Sequence, residues 1–213
     1  MALVLIGTVA SVLGVTFAAT DTYYIGVDVN TPSGLKNYKS MIQLNDTSFD
    51  IWPSNPHSRQ PNVKGEAIYC DLGDDKNLVV LLGFRGDHYG LNTLRILPWR
   101  TAGHRVKHTK KHQPFISGRY DLTGDPTPLL VTFANNDDRT SMAKVSRDLM
   151  APLYGEGFSI NRIWVEMTNS PYKDGEIQDR LPWLQDGFGG VEAYDPFKAV
   201  GLHNVGNPFV KNF

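Results

Sequence analysis

The first twenty residues, Met1 to Thr20 (MALVLIGTVASVLGVTFAAT), carry no charged side chain. As a helix rising about 1.5 Å per residue, such a run measures roughly 30 Å, the hydrocarbon thickness of a bilayer. Three fates compete for it: a retained transmembrane anchor, a cleaved secretory signal, or an element of a water-soluble core. A signal peptide carries a basic start and small residues at its cleavage site. Here the first basic residue is Lys36, and cleavage after Ala19 would leave bulky Phe17 in the upstream specificity position. Cleavage after Ala18, with Thr16 upstream, suits processing better. Length and flanks favour the anchor. On a helix, Gly7, Ser11, Gly14 and Ala18 fall on one stripe, and small side chains let a second transmembrane helix approach closely. Asp21 and Asp28 precede Lys36 on the C-terminal flank, so the expected topology has the N-terminus inside and residues 21–213 translocated.

Beyond the anchor the hydropathy is that of a strand-rich fold. TYYIGVDV (22–29) places Tyr23, Ile25, Val27 and Val29 on one side, and NYKSMIQL (37–44) alternates as its hairpin partner across a turn at Thr31 to Gly34. IWPSNPHSRQPN (51–62) reads as a loop, because Pro53, Pro56 and Pro61 remove backbone donors. VKGEAIYCDLGDDKNLVVLLGF (63–84) reads as two apolar runs around a Gly-Asp-Asp turn. PLLVTFA (128–134) suits a buried strand and VSRDLMAPLY (145–154) a short helix between Ser146 and the glycines at 155 and 157. FSINRIWVEMT (158–168) is a further strand, with Ile160, Arg162, Trp164 and Glu166 on one face and Ile163, Val165 and Met167 on the other. A polar helix around Glu176 to Arg180 and a Leu-Pro-Trp-Leu corner at 181–184 follow. The expected fold class is α+β: a strand-rich, mainly antiparallel domain over 21–213 behind one N-terminal transmembrane helix.

A net charge of −1 in 213 residues gives no global field for nucleic acid, and no nucleic-acid-binding motif is present. The charge is nevertheless uneven. No acidic residue occurs between Asp87 and Asp121, whereas Arg95, Arg100, Arg105, Lys107, Lys110, Lys111 and Arg119 supply seven of the 21 basic residues. Beside a membrane anchor, such a basic loop would be drawn to anionic headgroups or to an acidic partner, with Trp99 and Phe115 as interfacial aromatics. His104, His108 and His112 recur every four residues in the same stretch, a spacing that could hold Zn²⁺. The surrounding lysines and arginines oppose a divalent cation, and no general-base motif accompanies them, so the three histidines are read as further basic surface.

The remaining candidates are structural. Asp71, Asp74 and Asp75, and the run Asn135 to Asp138, are oxygen-rich, but they match no calcium loop and fit turns that use Asx side chains. The single cysteine, Cys70, cannot form an internal disulfide and reads as a buried small residue. There is no nucleophile elbow, and GFGG (187–190) lacks the context of a phosphate loop.

YDLTGDPTPLLVTFANNDDRTSMAKVS (120–146), RIWVEMTNSPYKDGEIQDRLPWL (162–184) and VKGEAIYCDLGDDKNLVVLLG (63–83) together make up about one third of the chain. In these stretches the sequence resembles a group of uncharacterised proteobacterial proteins that have a single N-terminal transmembrane segment and an extracytoplasmic domain ending in an RLPWL motif. The resemblance implies an anchored extracytoplasmic domain and implies no activity. The chain departs from that pattern in lacking Lys or Arg before the span, and its basic loop is its own. The functional expectation is therefore a non-catalytic, membrane-anchored accessory or interaction subunit on the periplasmic side. Its expected partners are membrane lipid and a transmembrane protein, with no cofactor and no nucleic acid. The alternatives are a periplasmic metal-dependent hydrolase using His104, His108 or His112, and a toxin- or ligand-binding protein of the immunity type.

Overall fold

The computed structural model describes residues 20–45, 62–84, 91–104, 115–185 and 207–212. Every strand pairing among the described residues is antiparallel, and the strands form two sheets. β1 (Thr20–Thr31) and β2 (Gly34–Asn45) make a long hairpin. With β3 (Asn62–Glu66), β6 (Arg119–Asp121), β9 (Ser159–Thr168) and β10 (Val210–Asn212) they build a six-stranded sheet in the order β10-β3-β2-β1-β9-β6. β4 (Ile68–Gly73), β5 (Lys76–Phe84), β7 (Pro128–Phe133) and β8 (Met142–Val145) build a four-stranded sheet in that order.

The two periodicities in the sequence explain the layers. Tyr23, Ile25, Val27 and Val29 are fully buried on the inner face of β1, as their alternation requires. They pack against Leu78, Val80, Leu82 and Phe84 of β5 to form the core between the sheets. Val79 and Leu81, on the other face of β5, join Phe133, Ile177, Leu181, Leu184 and Phe209 in a second cluster. The four-stranded sheet is thus apolar on both faces, which is why β5 reads as an uninterrupted apolar run. Its outer cover comes from α3 (Ile177–Arg180) and the 3-10 turn Pro182–Leu184, so the Leu-Pro-Trp-Leu corner is a packing element. The Trp183 ring meets Phe209 edge-on at 5.3 Å between centroids.

Several sequence expectations need correction. The run 63–70 is not one strand: it breaks at Ala67, leaving β3 in the larger sheet and β4 in the smaller. The Ala67 N–H donates to the Phe209 carbonyl at 2.7 Å and the Leu82 N–H to the Pro208 carbonyl at 2.8 Å, so the returning chain stitches this corner. The basic middle does not begin as a loop. It begins as α1 (Leu91–Thr101), whose Leu94, Leu97 and Trp99 enter the core. Pro98 disguised this helix in the sequence. Trp99 is 1% exposed and is a core residue, not an interfacial aromatic, whereas Phe115 is exposed. Val145 ends β8, and the expected helix shrinks to a 3-10 turn (Arg147–Leu149) and α2 (Met150–Tyr154) closed by Gly155 at φ 107°. Ile160 leaves the face of Arg162 because the ladder of β1 and β9 shifts between Asp28 and Val29, pairing Val29 with Ile160 and turning it to the core. No helix among the described residues is long and apolar enough to cross a membrane, and the proposed span, with Gly7, Ser11, Gly14 and Ala18, lies outside them apart from Thr20.

Candidate interaction surfaces

Antiparallel register brings distant parts of the chain to one end of the six-stranded sheet. Thr20, the first residue of β1, pairs with Asn45, the last of β2, and Asn45 pairs in turn with Asn62, the first of β3. On the other side of β1, Thr22 pairs with Thr168 at the end of β9, and Glu166 pairs with Arg119 at the start of β6. Two stretches singled out in the sequence therefore join the fold at the same end, the apolar twenty residues at Thr20 and the proline-rich run at Asn62, while the basic stretch joins on the same half of the sheet at Arg119, level with Tyr24. The candidate basic residues are divided by the structure. Arg95 and Arg100 are exposed on α1, His104 is exposed just after it, and Arg119 lies on the edge strand β6. Arg105, Lys107, His108, Lys110, Lys111 and His112 lie outside the described residues. Among the described residues no group of His, Cys, Asp and Glu side chains is disposed to hold a metal ion.

The outer face of β1, β9 and β6 carries a polar network that sequence reading missed. Asp28 is 1% exposed although it lies on the face turned away from the core. Arg162 Nε donates to its Oδ2 at 2.5 Å and Trp164 Nε1 to its Oδ1 at 2.9 Å. Burial works to raise the Asp28 pKa, but hydrogen bonds from Arg162, Trp164 and Asn37 and the Arg162 charge outweigh it, leaving the carboxyl below its ordinary value. Trp164 lies flat on Gly26, where a Cβ would stand 2.2 Å from the indole. The Arg119 guanidinium stacks 3.7 Å from the Trp164 ring while bonding Glu166 through Nη2 at 2.9 Å and Nε at 3.0 Å. Arg119 is thus already engaged within the sheet. The signal was present as two polar alternations, Tyr24-Gly26-Asp28 and Arg162-Trp164-Glu166, but their register was not readable.

A third surface is a groove where the sheets diverge. β3 covers β2 only from Ile42 to Asn45, because the chain leaves for β4 at Ala67. The resulting cavity, about 410 Å³, lies between the Asn37–Ser40 stretch of β2, the β4 strand and the Asp174–Ile177 segment. Tyr38 donates its hydroxyl to the Asp71 carbonyl, and Lys36 Nζ reaches the same oxygen at 3.2 Å. Burial, followed by the nearby Cys70 and Asp71, pushes the Tyr38 phenol up to about 12. A neighbouring cavity of about 630 Å³ is lined by Asp71, Asp74 and Asp75 of the first oxygen-rich cluster and by Asn135 and Asn136 of the second. Their acceptors are spent on turns, as expected: Asp71 Oδ1 takes the Gly73 N–H, Asn135 Oδ1 that of Asp137, and Asp138 Oδ1 that of Thr140. Asp74 and Asp75 occupy the left-handed region at φ 51° and 57° to turn the β4-β5 hairpin. Cys70 is fully buried and its thiol pKa is raised by that burial, so it is a packing residue. No family model, no curated protein and no solved structure matches this chain.

Proposed function

We propose that the protein is a non-catalytic, membrane-anchored interaction subunit, tethered through residues 1–20, with its strand-rich domain on the extracytoplasmic side. One observation carries the reading: Thr20 and the Asn45/Asn62 pair share one end of the six-stranded sheet, and β6 starts on the same half of it, with Arg119 opposite Glu166 and, through it, Tyr24. A helix running into β1 at Thr20 sets that end against the bilayer. The basic stretch then joins the fold on the side where anionic headgroups contribute about 1 kcal/mol per Lys or Arg near the surface. The small-residue stripe Gly7, Ser11, Gly14 and Ala18 serves to pack against a partner's transmembrane helix. The domain contributes rigid sheet surface, since its polar groups are consumed in pairs such as Asp28 with Arg162 and Arg119 with Glu166.

The test is purification of the full chain in mild detergent after an alkaline carbonate wash of the membranes. The reading expects the protein to stay with the membrane pellet and to co-elute with a second membrane protein, and Gly7→Leu with Gly14→Leu to lose that companion while remaining in the pellet. A lone monomer from the pellet removes the subunit role, and release by carbonate removes the anchor.

A further inference from the structure

The crossing from β9 to α3 is fixed at its ends and held between them by side chains alone. Thr168 pairs with Thr22, and Ile177 is buried in the second cluster. Residues 169–176 form no regular element, and all but Tyr172 are exposed. No backbone–backbone hydrogen bond ties 169–175 to the rest of the described residues, and the Ser170 N–H only turns back to the Thr168 hydroxyl at 3.1 Å. The ties that remain go to two residues of β3. Lys64 and Glu66 alternate along that strand and so share a face. Lys64 Nζ reaches Asp174 Oδ1 at 2.9 Å and lies 4.3 Å from the centre of the Tyr172 ring. Glu66 Oε2 accepts the Ile177 N–H at 3.3 Å, and a Cβ at Gly175 would stand 2.7 Å from the same oxygen. Burial, followed by the charges of Glu66 and Asp174, holds the Tyr172 phenol well above its ordinary value. The end of this crossing, Asp174 to Ile177, is also one wall of the groove of about 410 Å³.

Two opposed energies act on the closed crossing. The Lys64–Asp174 pair favours it, but the Asp174 side chain is 71% exposed, so water and salt screen the attraction. Glu66 disfavours it. Gly175 lies against the Glu66 carboxylate, the residue is 7% exposed, and its one hydrogen bond among the described residues is a single N–H at 3.3 Å. A carboxylate taken out of water with so little in exchange is poorly compensated. A stretch with no backbone ladder and such a balance opens locally while the sheets around it stay folded.

We infer that residues 169–176 form a strap that opens and closes the groove, with Lys64 as its latch and Glu66, buried beneath it, opposing closure. Opening releases Tyr172 and Asp174 from Lys64, returns Glu66 to water and uncovers the groove at Ala67, which is 4% exposed when the strap is closed. The device goes beyond the reading of the protein as an interaction subunit and does not depend on the membrane tether.

Lys173, exposed in the middle of the strap, supplies the readout, because trypsin cuts a folded chain where several residues open together. The full chain in detergent micelles is treated briefly with trypsin, and the cut after Lys173 is followed by mass spectrometry, with urea midpoints measured alongside. Rates are taken relative to a synthetic peptide of residues 168–178 bearing the same substitution, which removes the protease's own response to salt and sequence. Raising NaCl from about 0.05 to 1 M is expected to speed the wild-type cut about threefold by screening the latch. Lys64→Met and, from the strap side, Asp174→Asn each speed it about fivefold at low salt and abolish the salt response. Glu66→Gln keeps an oxygen for the Ile177 N–H but removes the buried charge, and slows the cut about threefold. Maleimide labelling of Ala67→Cys follows the same salt dependence, against a native Cys70 that is fully buried. The sign of the Glu66→Gln effect separates a strap from a fixed crossing, in which both β3 residues are plain anchors and every substitution speeds the cut. The inference is overturned if salt leaves the wild-type cut unchanged, if Glu66→Gln speeds it, or if labelling of Ala67→Cys does not respond to salt. It is also overturned if the cut merely follows the urea midpoint across the variants, since global unfolding then exposes Lys173.

Discussion

At the scale of single residues, the most consequential contact is the indole of Trp164 on the bare backbone of Gly26, with Arg119 stacked on the ring. Gly26→Ala puts a methyl 2.2 Å from the ring, where only displacement of the indole relieves the clash. Displacement breaks the bond from Trp164 to Asp28 as well, so the variant is expected to lose about 2–4 kcal/mol in urea unfolding. Gly34→Ala meets nothing within 4 Å and should cost only its positive φ of 118°, about 1 kcal/mol. Asp28 makes a second, pH-dependent prediction. Its folded pKa is lower than its unfolded one, so its contribution is fully present above the ordinary carboxylate range near 4. That contribution is lost as pH falls through the lowered folded value. Asp28→Asn should therefore cost about 2 kcal/mol at neutral pH and flatten the fall in stability below about pH 4, measured by denaturant midpoints across pH. The alternating residues on β1 and β9 were legible, but this network was not. Which polar residue faces which depends on the ladder shift at Asp28/Val29, and no single-strand pattern reports a shift between two strands.

At the scale of elements, legibility followed how far the pattern of each segment was local. The β1-β2 hairpin was readable because Tyr23, Ile25, Val27 and Val29 alternate without interruption around a turn. The edge strands β6 and β10 were not, since three residues carry too little periodicity and are ordered by their neighbours. α1 was hidden by its composition, with Pro98 inside it and arginines on its surface. The helix matters all the same: the Tyr23 hydroxyl donates to the Leu94 carbonyl at 2.8 Å, and Trp99 is buried. Trp99→Ala is expected to cost about 3–5 kcal/mol and leave membrane association unchanged, while exposed Phe115→Ala stays within about 0.5 kcal/mol. An interfacial Trp99 would show the reverse, a change in membrane affinity with little change in unfolding.

At the scale of the molecule, two sheets and the segment from Ile177 to Leu184 with Phe209 enclose, among the described residues, two buried clusters. The sequence supplied the apolar run and the charge asymmetry as separate observations. Only the strand order related them, because Arg119 comes level with Tyr24, four residues from Thr20, through pairing with Glu166 rather than through proximity in the chain. That β3 pairs β2 only from Ile42 to Asn45 was equally invisible in the sequence, since it follows from β3 departing at Ala67 for the other sheet. The central claim is that residues 1–20 hold this domain at a membrane, and the most direct measurement is the distribution of the full-length chain between pellet and supernatant after cell membranes are washed at alkaline pH. The protein is predicted to remain in the pellet, and a variant beginning at Thr20 to appear folded in the supernatant. Full-length protein recovered from the supernatant without detergent would contradict the claim.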